Sequence, residues 1–265
     1  MSSLKSLFEQ GRQEKQALFF PYICLGYPTL RLSLDCARAA LDAGAAGLEL
    51  GLPFSDPIAD GPTLQKATQT SLEGGTKPSD VFSLIETLRY ENYHQPLLVM
   101  SYANLVERMG WDRFAARLKG VGGNGAILPD LPLEKYKENG RPLLDRKLAL
   151  IPFVSPTSDP NRVKKVDALG APFIYYVSVT GVTGARKTLP AGLLKDLGKL
   201  KKSLKTPLVV GFGISNPDQA AQVGRVADGV IIASALIQVI SRTPKNRVAG
   251  AVGKYCREVV KKLEN

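Results

Sequence analysis

Histidine is almost missing from this chain of 265 residues: there is one, His94, in the polar turn ENYHQP. Histidine-based triads and histidine-rich metal centres are thereby excluded, so any reaction must run on carboxylates, tyrosines, lysines or backbone groups. Cysteine is sparse too. Cys24, Cys36 and Cys256 lie far apart with no CxxC pair, which argues against a zinc site or a disulfide framework. No apolar run approaches the roughly 18 residues of a membrane span. The N-terminal MSSLKSLFEQGRQEK is polar and has neither the apolar stretch of a signal peptide nor a transit pattern, so a reduced, cytoplasmic setting is expected. Lys and Arg number 35 against 24 Asp and Glu, a net charge of +11, yet the basic residues are scattered in short groups such as Lys164-Lys165 and Lys261-Lys262. Aromatics do not interleave with them as base-stacking would require. Neither a nucleic acid nor a membrane partner is expected. The sign of the charge weakly favours an anionic small substrate.

What the chain has is a repeating pattern. Eight short apolar runs recur: ALFFPYICLG, AGLELGL, PLLVMSY, GAILPD, LALIPFV, PFIYYVSV, PLVVGFG and GVIIAS. Each precedes a turn and a segment with helical spacing, such as NPDQAAQVGRVAD. Continuously apolar strands alternating with helices signal a parallel sheet covered on both faces. Eight such units in a chain of this length predict an α/β fold, a (β/α)8 TIM barrel in a single domain over residues 1–265, with a doubly wound open sheet as the alternative. An extra N-terminal helix over residues 2–15 is expected to close the barrel floor. The intervals after the second and sixth runs are longer than the rest, which predicts long βα loops after strands 2 and 6, where barrel enzymes keep their chemistry.

The second run exits through LELGLPFSDPIADGP and carries one acid, Glu49, between leucines. Side chains alternate along a strand, so Gly47, Glu49 and Gly51 share one face and the leucines the other. The leucines suit the helices, which points Glu49 into the barrel with two glycines leaving space beside it. The same alternation predicts an apolar inward set: Phe20 and Tyr22, Leu98 with Met100 and Tyr102, Ile151 with Phe153, Phe173 with Tyr175, and Val210 with Phe212. Desolvation there should raise the Glu49 pKa and suit it to general acid–base work. The competing reading is an internal ion pair, but no Lys or Arg lies within the apolar runs to serve it. Asp60 precedes Pro62, which suits the first position of a helix, so taken alone it reads as a cap more often than not, and Asp56 likewise as an Asx turn. Strands seven and eight exit through GFGIS and IIASAL, a small residue before each helix start, and TGVTG at 180–184 adds another glycine segment. Loops after the last two strands of a barrel often hold phosphate on helix N-terminal amides, so Gly213 and Ser234 point to a phosphorylated substrate.

Together ELGLPFSDPIADGP, the QKA that follows it, IYYVSVTGVTGA and VGFGIS resemble the signatures of the tryptophan synthase alpha subunit family, in order and in register from about residue 18 to about residue 240. The resemblance implies a TIM barrel that cleaves indole-3-glycerol phosphate into indole and glyceraldehyde 3-phosphate by a retro-aldol reaction. It implies no metal or organic cofactor in this chain, with pyridoxal phosphate held by a β-subunit partner in an α2β2 heterotetramer that receives the indole. It assigns catalysis to Glu49, Asp60 and Tyr175. It assigns the indole pocket to Tyr22, Met100, Phe153 and Phe212, with Thr183 closing toward Asp60, and the phosphate to amides of Gly184, Gly213, Ala233 and Ser234. Ala233 stands where glycine is usual, Asn124 where aspartate is frequent, and Ala103 and Leu105 where tyrosine and proline are more usual. Rival readings are a free-standing indole-3-glycerol-phosphate lyase, a non-catalytic phosphate-binding regulatory subunit, and another phosphosugar barrel such as an isomerase.

Overall fold

The computed structural model describes residues 4–177, 189–211 and 213–264. Every apolar run forms a parallel strand: β1 (Leu18–Cys24), β2 (Leu48–Gly51), β3 (Leu97–Met100), β4 (Gly125–Ile127), a fifth run divided into β5 (Ala149–Ile151) and β6 (Phe153–Val154), β7 (Ile174–Tyr176), β8 (Leu208–Val210) and β9 (Gly229–Ile232). The division falls at Pro152, which has no N–H to give a ladder. The strand order is β5-β4-β3-β2-β1-β9-β8-β7-β6. Since β5 pairs with β4 and β6 with β7, the covalent link through Pro152 joins the two ends of that order and closes a TIM barrel. Strand residues are buried throughout, apart from a half-buried Phe153, as expected of strands covered on both faces.

Local chemistry starts the helices. At α2 (Leu30–Asp42), Thr29 Oγ1 accepts from the Leu32 amide at 3.2 Å. Both α8 (Pro160–Asp167) and α10 (Pro217–Gly224) open on proline, with the Asp159 and Asn216 side chains accepting the first free amides. At the floor, α1 (Leu4–Gln13) inserts Phe8, whose ring centroid lies 6.0 Å from Phe20 and 5.4 Å from Phe173. Nearby, the buried Asp228 carboxylate accepts from Arg12 Nε at 2.7 Å and from the Leu208 amide at 2.6 Å, and also pairs with Lys201 of α9 (Leu193–Ser203). The expected floor helix is therefore present and anchored.

Two expectations need refining. The long interval after β2 is loop only over residues 52–61; an additional helix, α3 (Pro62–Glu73), then precedes α4 (Asp80–Tyr90). The inward set also needs one correction. Val209, not Val210, is level with Tyr175 and Gly229, while Val210 pairs with Tyr176 and Val230 on the helix-facing side. The inward position after Val209 is Gly211, and a residue with no side chain leaves no apolar mark by which to set the alternation. At the start of β3, Asn124 Oδ1 accepts from Arg89 Nη2 at 2.8 Å and from the Leu97 amide at 2.9 Å, so an amide makes both bonds without a charge. Among the described residues no helix is long and apolar enough to cross a membrane.

Candidate active site

Strand β2 directs Glu49 into the barrel, level with Tyr22 of β1 and Leu98 of β3, and its side chain is 3% exposed. The ion pairs among the described residues all lie elsewhere, and none of them supports the competing ion-pair reading. The carboxyl is instead hydrogen-bonded by the Tyr175 hydroxyl. Burial, and after it the charge of Asp60, push the Glu49 pKa up to about 8, against the downward pull of the Tyr175 bond. At neutral pH Glu49 therefore keeps its proton. Tyr175 is itself pushed well above the ordinary phenol range, first by burial and then by Glu49, so it remains a donor.

The loop after β2 brings the second acid. Asp60 is partly buried, and burial raises its pKa to about 6 while a hydrogen bond from Tyr102 lowers it. It does not act as a cap: Gly61 occupies the N-cap of α3 with no side-chain bond, and Pro62 opens the helix as its sequence position suggests. Asp56 stands apart, exposed, accepting from Ser55 Oγ at 2.6 Å. Tyr102, read from the sequence only as an inward apolar position, proves to be part of the site. The one cue to it was a polar tip on a residue just past the C-terminal end of a barrel strand.

The glycines beside Glu49 do not leave empty space. A Cβ built on Gly47 would lie 2.7 Å from the Phe20 ring, and one on Gly51 would collide with the Tyr22 hydroxyl end. The room is given to two aromatics from β1, and Gly211 makes the same allowance for the Tyr175 hydroxyl. Gly51→Ala is accordingly expected to push Tyr22 into the pocket. We expect a fall in activity of at least about tenfold and a loss of about 1–3 kcal/mol of stability, the usual cost of overpacking, read by steady-state kinetics and thermal melting.

Phe153 and Met100 share the inward face with Tyr175 and Glu49. Phe153 stacks on Tyr175 with centroids 5.1 Å apart, and Met100 is level with Gly51 one layer above Glu49. Past β8, Gly213 has φ +78°, a conformation that favours glycine, and nothing lies within 4 Å of where a Cβ would sit. Past β9, α11 (Ser234–Arg242) begins at Ser234, so its first amides have no partner within the helix. Ala233, just before it, has φ −110° and needs no glycine. Thr183, Gly184 and Phe212 lie outside the described residues. The mouth of the barrel thus combines two acids of raised pKa, an aromatic wall, and two loop ends suited to an anion.

Comparison with known proteins bears on this arrangement. The family described as "Tryptophan synthase alpha chain" matches residues 8–264. The tryptophan synthase alpha chain of Chloroflexus aggregans is 43% identical over 265 residues, covering 100% of this chain and 99% of the relative. That of Carboxydothermus hydrogenoformans is 41% identical over 248 residues, covering 94% and 92%. Among solved structures, tryptophan synthase subunit alpha from Legionella pneumophila superposes with a TM-score of 0.92 at 31% identity, covering 100% of this chain and 99% of that one. A tryptophan synthase chain from Mycobacterium tuberculosis superposes with a TM-score of 0.90 at 31% identity over 100% of both.

Proposed function

The chain belongs to the tryptophan synthase alpha chain family, and from that premise we propose which of its residues carry each step of the reaction. It is a lyase that cleaves indole-3-glycerol phosphate to indole and glyceraldehyde 3-phosphate, and its partner is a tryptophan synthase β subunit. Glu49, holding a proton at neutral pH, donates it to C3 of the indole ring. The ring becomes an electron sink with positive charge centred on nitrogen, and Asp60, ionised, accepts a hydrogen bond from the N–H and stabilises that charge. Glu49, now a carboxylate, takes the proton of the adjacent glycerol hydroxyl. The O–H pair becomes the aldehyde C=O, and the pair of the breaking C–C bond restores the aromatic ring. Tyr175 holds the Glu49 carboxyl in place through both transfers. Tyr22, Met100 and Phe153 hold the indole, with Phe212 and Thr183 completing the pocket, and amides at Gly213, Ala233, Ser234 and Gly184 hold the phosphate.

The observation that carries this reading is a buried, inward-facing carboxyl, paired with no cation among the described residues, next to a second carboxyl of lower pKa. Further parts of the proposal are that the 265 residues act as one unit in the cytoplasm, that cleavage needs no cofactor from this chain, and that the assembly is α2β2 with pyridoxal phosphate in the partner. Two titrations give the test. Asp60 must be ionised and Glu49 protonated, so kcat/KM for indole release should rise through about pH 6 and fall through about pH 8. A profile flat across that range would remove the acid–base assignment. Measuring the same release with and without a β subunit separates a partnered catalyst from the free-standing lyase, and the absence of any release would leave only the regulatory reading.

A further inference from the structure

The geometry points to Tyr102 as a positioning residue for the reaction, one whose hydroxyl receives a hydrogen bond from the Asp60 loop and passes one to the Asp60 carboxylate. Tyr102 is 1% exposed and lies just past β3, at the N-cap of α5 (Ala103–Met109). The Ala59 amide donates to Tyr102 Oη at 3.1 Å, which sets the hydroxyl beside the Asp60 side chain with its own proton left to give. An N–H that donates to an oxygen makes its O–H a better donor, so the two bonds reinforce each other. Tyr102 is held both at its ring and at the peptide that follows it. Phe54, from the same loop, packs on it with centroids 5.1 Å apart. Asp130, beyond β4, accepts the next amide, that of Ala103, with both oxygens at 2.8 and 3.0 Å. The Asp60 loop is thereby fastened at Phe54 and Ala59 to one phenol just past β3.

This deepens the reading of Asp60 as the group that stabilises charge on the indole nitrogen, and it rests on that reading. Among the described residues the titratable groups around Asp60 are Glu49 from β2, Tyr22 and Cys24 from β1, Tyr175 from β7 and Tyr102, with Asp130 behind Tyr102. None is a cation, so the Tyr102 hydroxyl is the group among them that favours the ionised form of Asp60 by bonding to it.

The test is the pH dependence of indole release from indole-3-glycerol phosphate by the full chain. Tyr102→Phe keeps the ring and its packing but removes the donor, so the acid limb of kcat/KM should move up by about one pH unit, the scale of one hydrogen bond to a charged group. Placing 3,5-difluorotyrosine at position 102 keeps the fold and strengthens the donor, and should move that limb down. In an Asp60→Asn background, which lacks that limb, neither change should alter the shape of the profile. A limb that stays in place in the fluorinated protein, or a Tyr102→Phe protein that loses activity equally at every pH, would overturn the proposal. Wild-type turnover in Asp60→Asn alone would instead overturn the reading beneath it.

Discussion

Glu49→Gln should slow indole release on the order of 10⁴-fold, the upper end of what general acid–base catalysis supplies, because one group performs both proton transfers. Glutamine has the same shape and can accept the Tyr175 hydrogen bond, so the pocket survives while the transferable proton is lost. Binding of glyceraldehyde 3-phosphate or an indole phosphate analogue should remain within a few-fold of the parent protein. Stability should respond in the opposite sense to activity. The folded state raises the Glu49 pKa from 4.5 to about 8, so the stability this group contributes is complete below the unfolded value and is lost as pH rises through the folded one. Glutamine cannot ionise. The variant should therefore melt with the parent near about pH 4 and above it near about pH 9. Near-normal turnover in Glu49→Gln would end the acid–base assignment, and a melting curve parallel to the parent at both pH values would show that Glu49 is not desolvated.

Asp60→Asn should be the second largest loss, about 10²- to 10³-fold in kcat, as when one preorganised electrostatic contact to a developing charge is removed. The contact strengthens only as the ring nitrogen becomes positive, so kcat and kcat/KM should fall together while KM changes little. Asparagine can still accept from the Tyr102 hydroxyl, so the loop should keep its place. The acid limb of the pH profile should disappear as well, leaving only the fall set by Glu49, which should move below about pH 8 because the Asp60 charge no longer helps to hold that proton. If the activity lost were recovered by raising substrate, Asp60 would be a binding group rather than a stabiliser of the transition state.

The barrel could be read from the chain because its strands are apolar end to end and its helices are not, a contrast of period that needs no partner to be seen. Glu49 was legible for a similar reason: a lone acid among leucines has no bland explanation on a buried strand once no cation shares the apolar runs. Contacts between distant segments were harder. Tyr102 looked like one more apolar wall position, since nothing local reveals that its hydroxyl meets an amide 43 residues earlier in the chain. Asp60, by its neighbours alone, read as a cap, and it is Gly61 that occupies the N-cap. The glycines misled most. Gly47 and Gly51 looked like vacancies and Gly211 hid the alternation of its strand, because whatever fills the room a glycine gives up comes from another strand.

Pro152 has a consequence for the enzyme with substrate aboard. The ladder of amides is continuous from β1 through β2, β3 and β4 to β5, and separately from β1 through β9, β8 and β7 to β6. The wall is thus two half-shells hinged along their common first strand and stitched opposite it by a proline. One shell bears Glu49, and the other bears Tyr175 and the amides proposed for the phosphate. A substrate with its indole between Met100 of the first and Phe153 of the second, and its anion on the second, is a cross-brace over that stitch, and product departure takes the brace away.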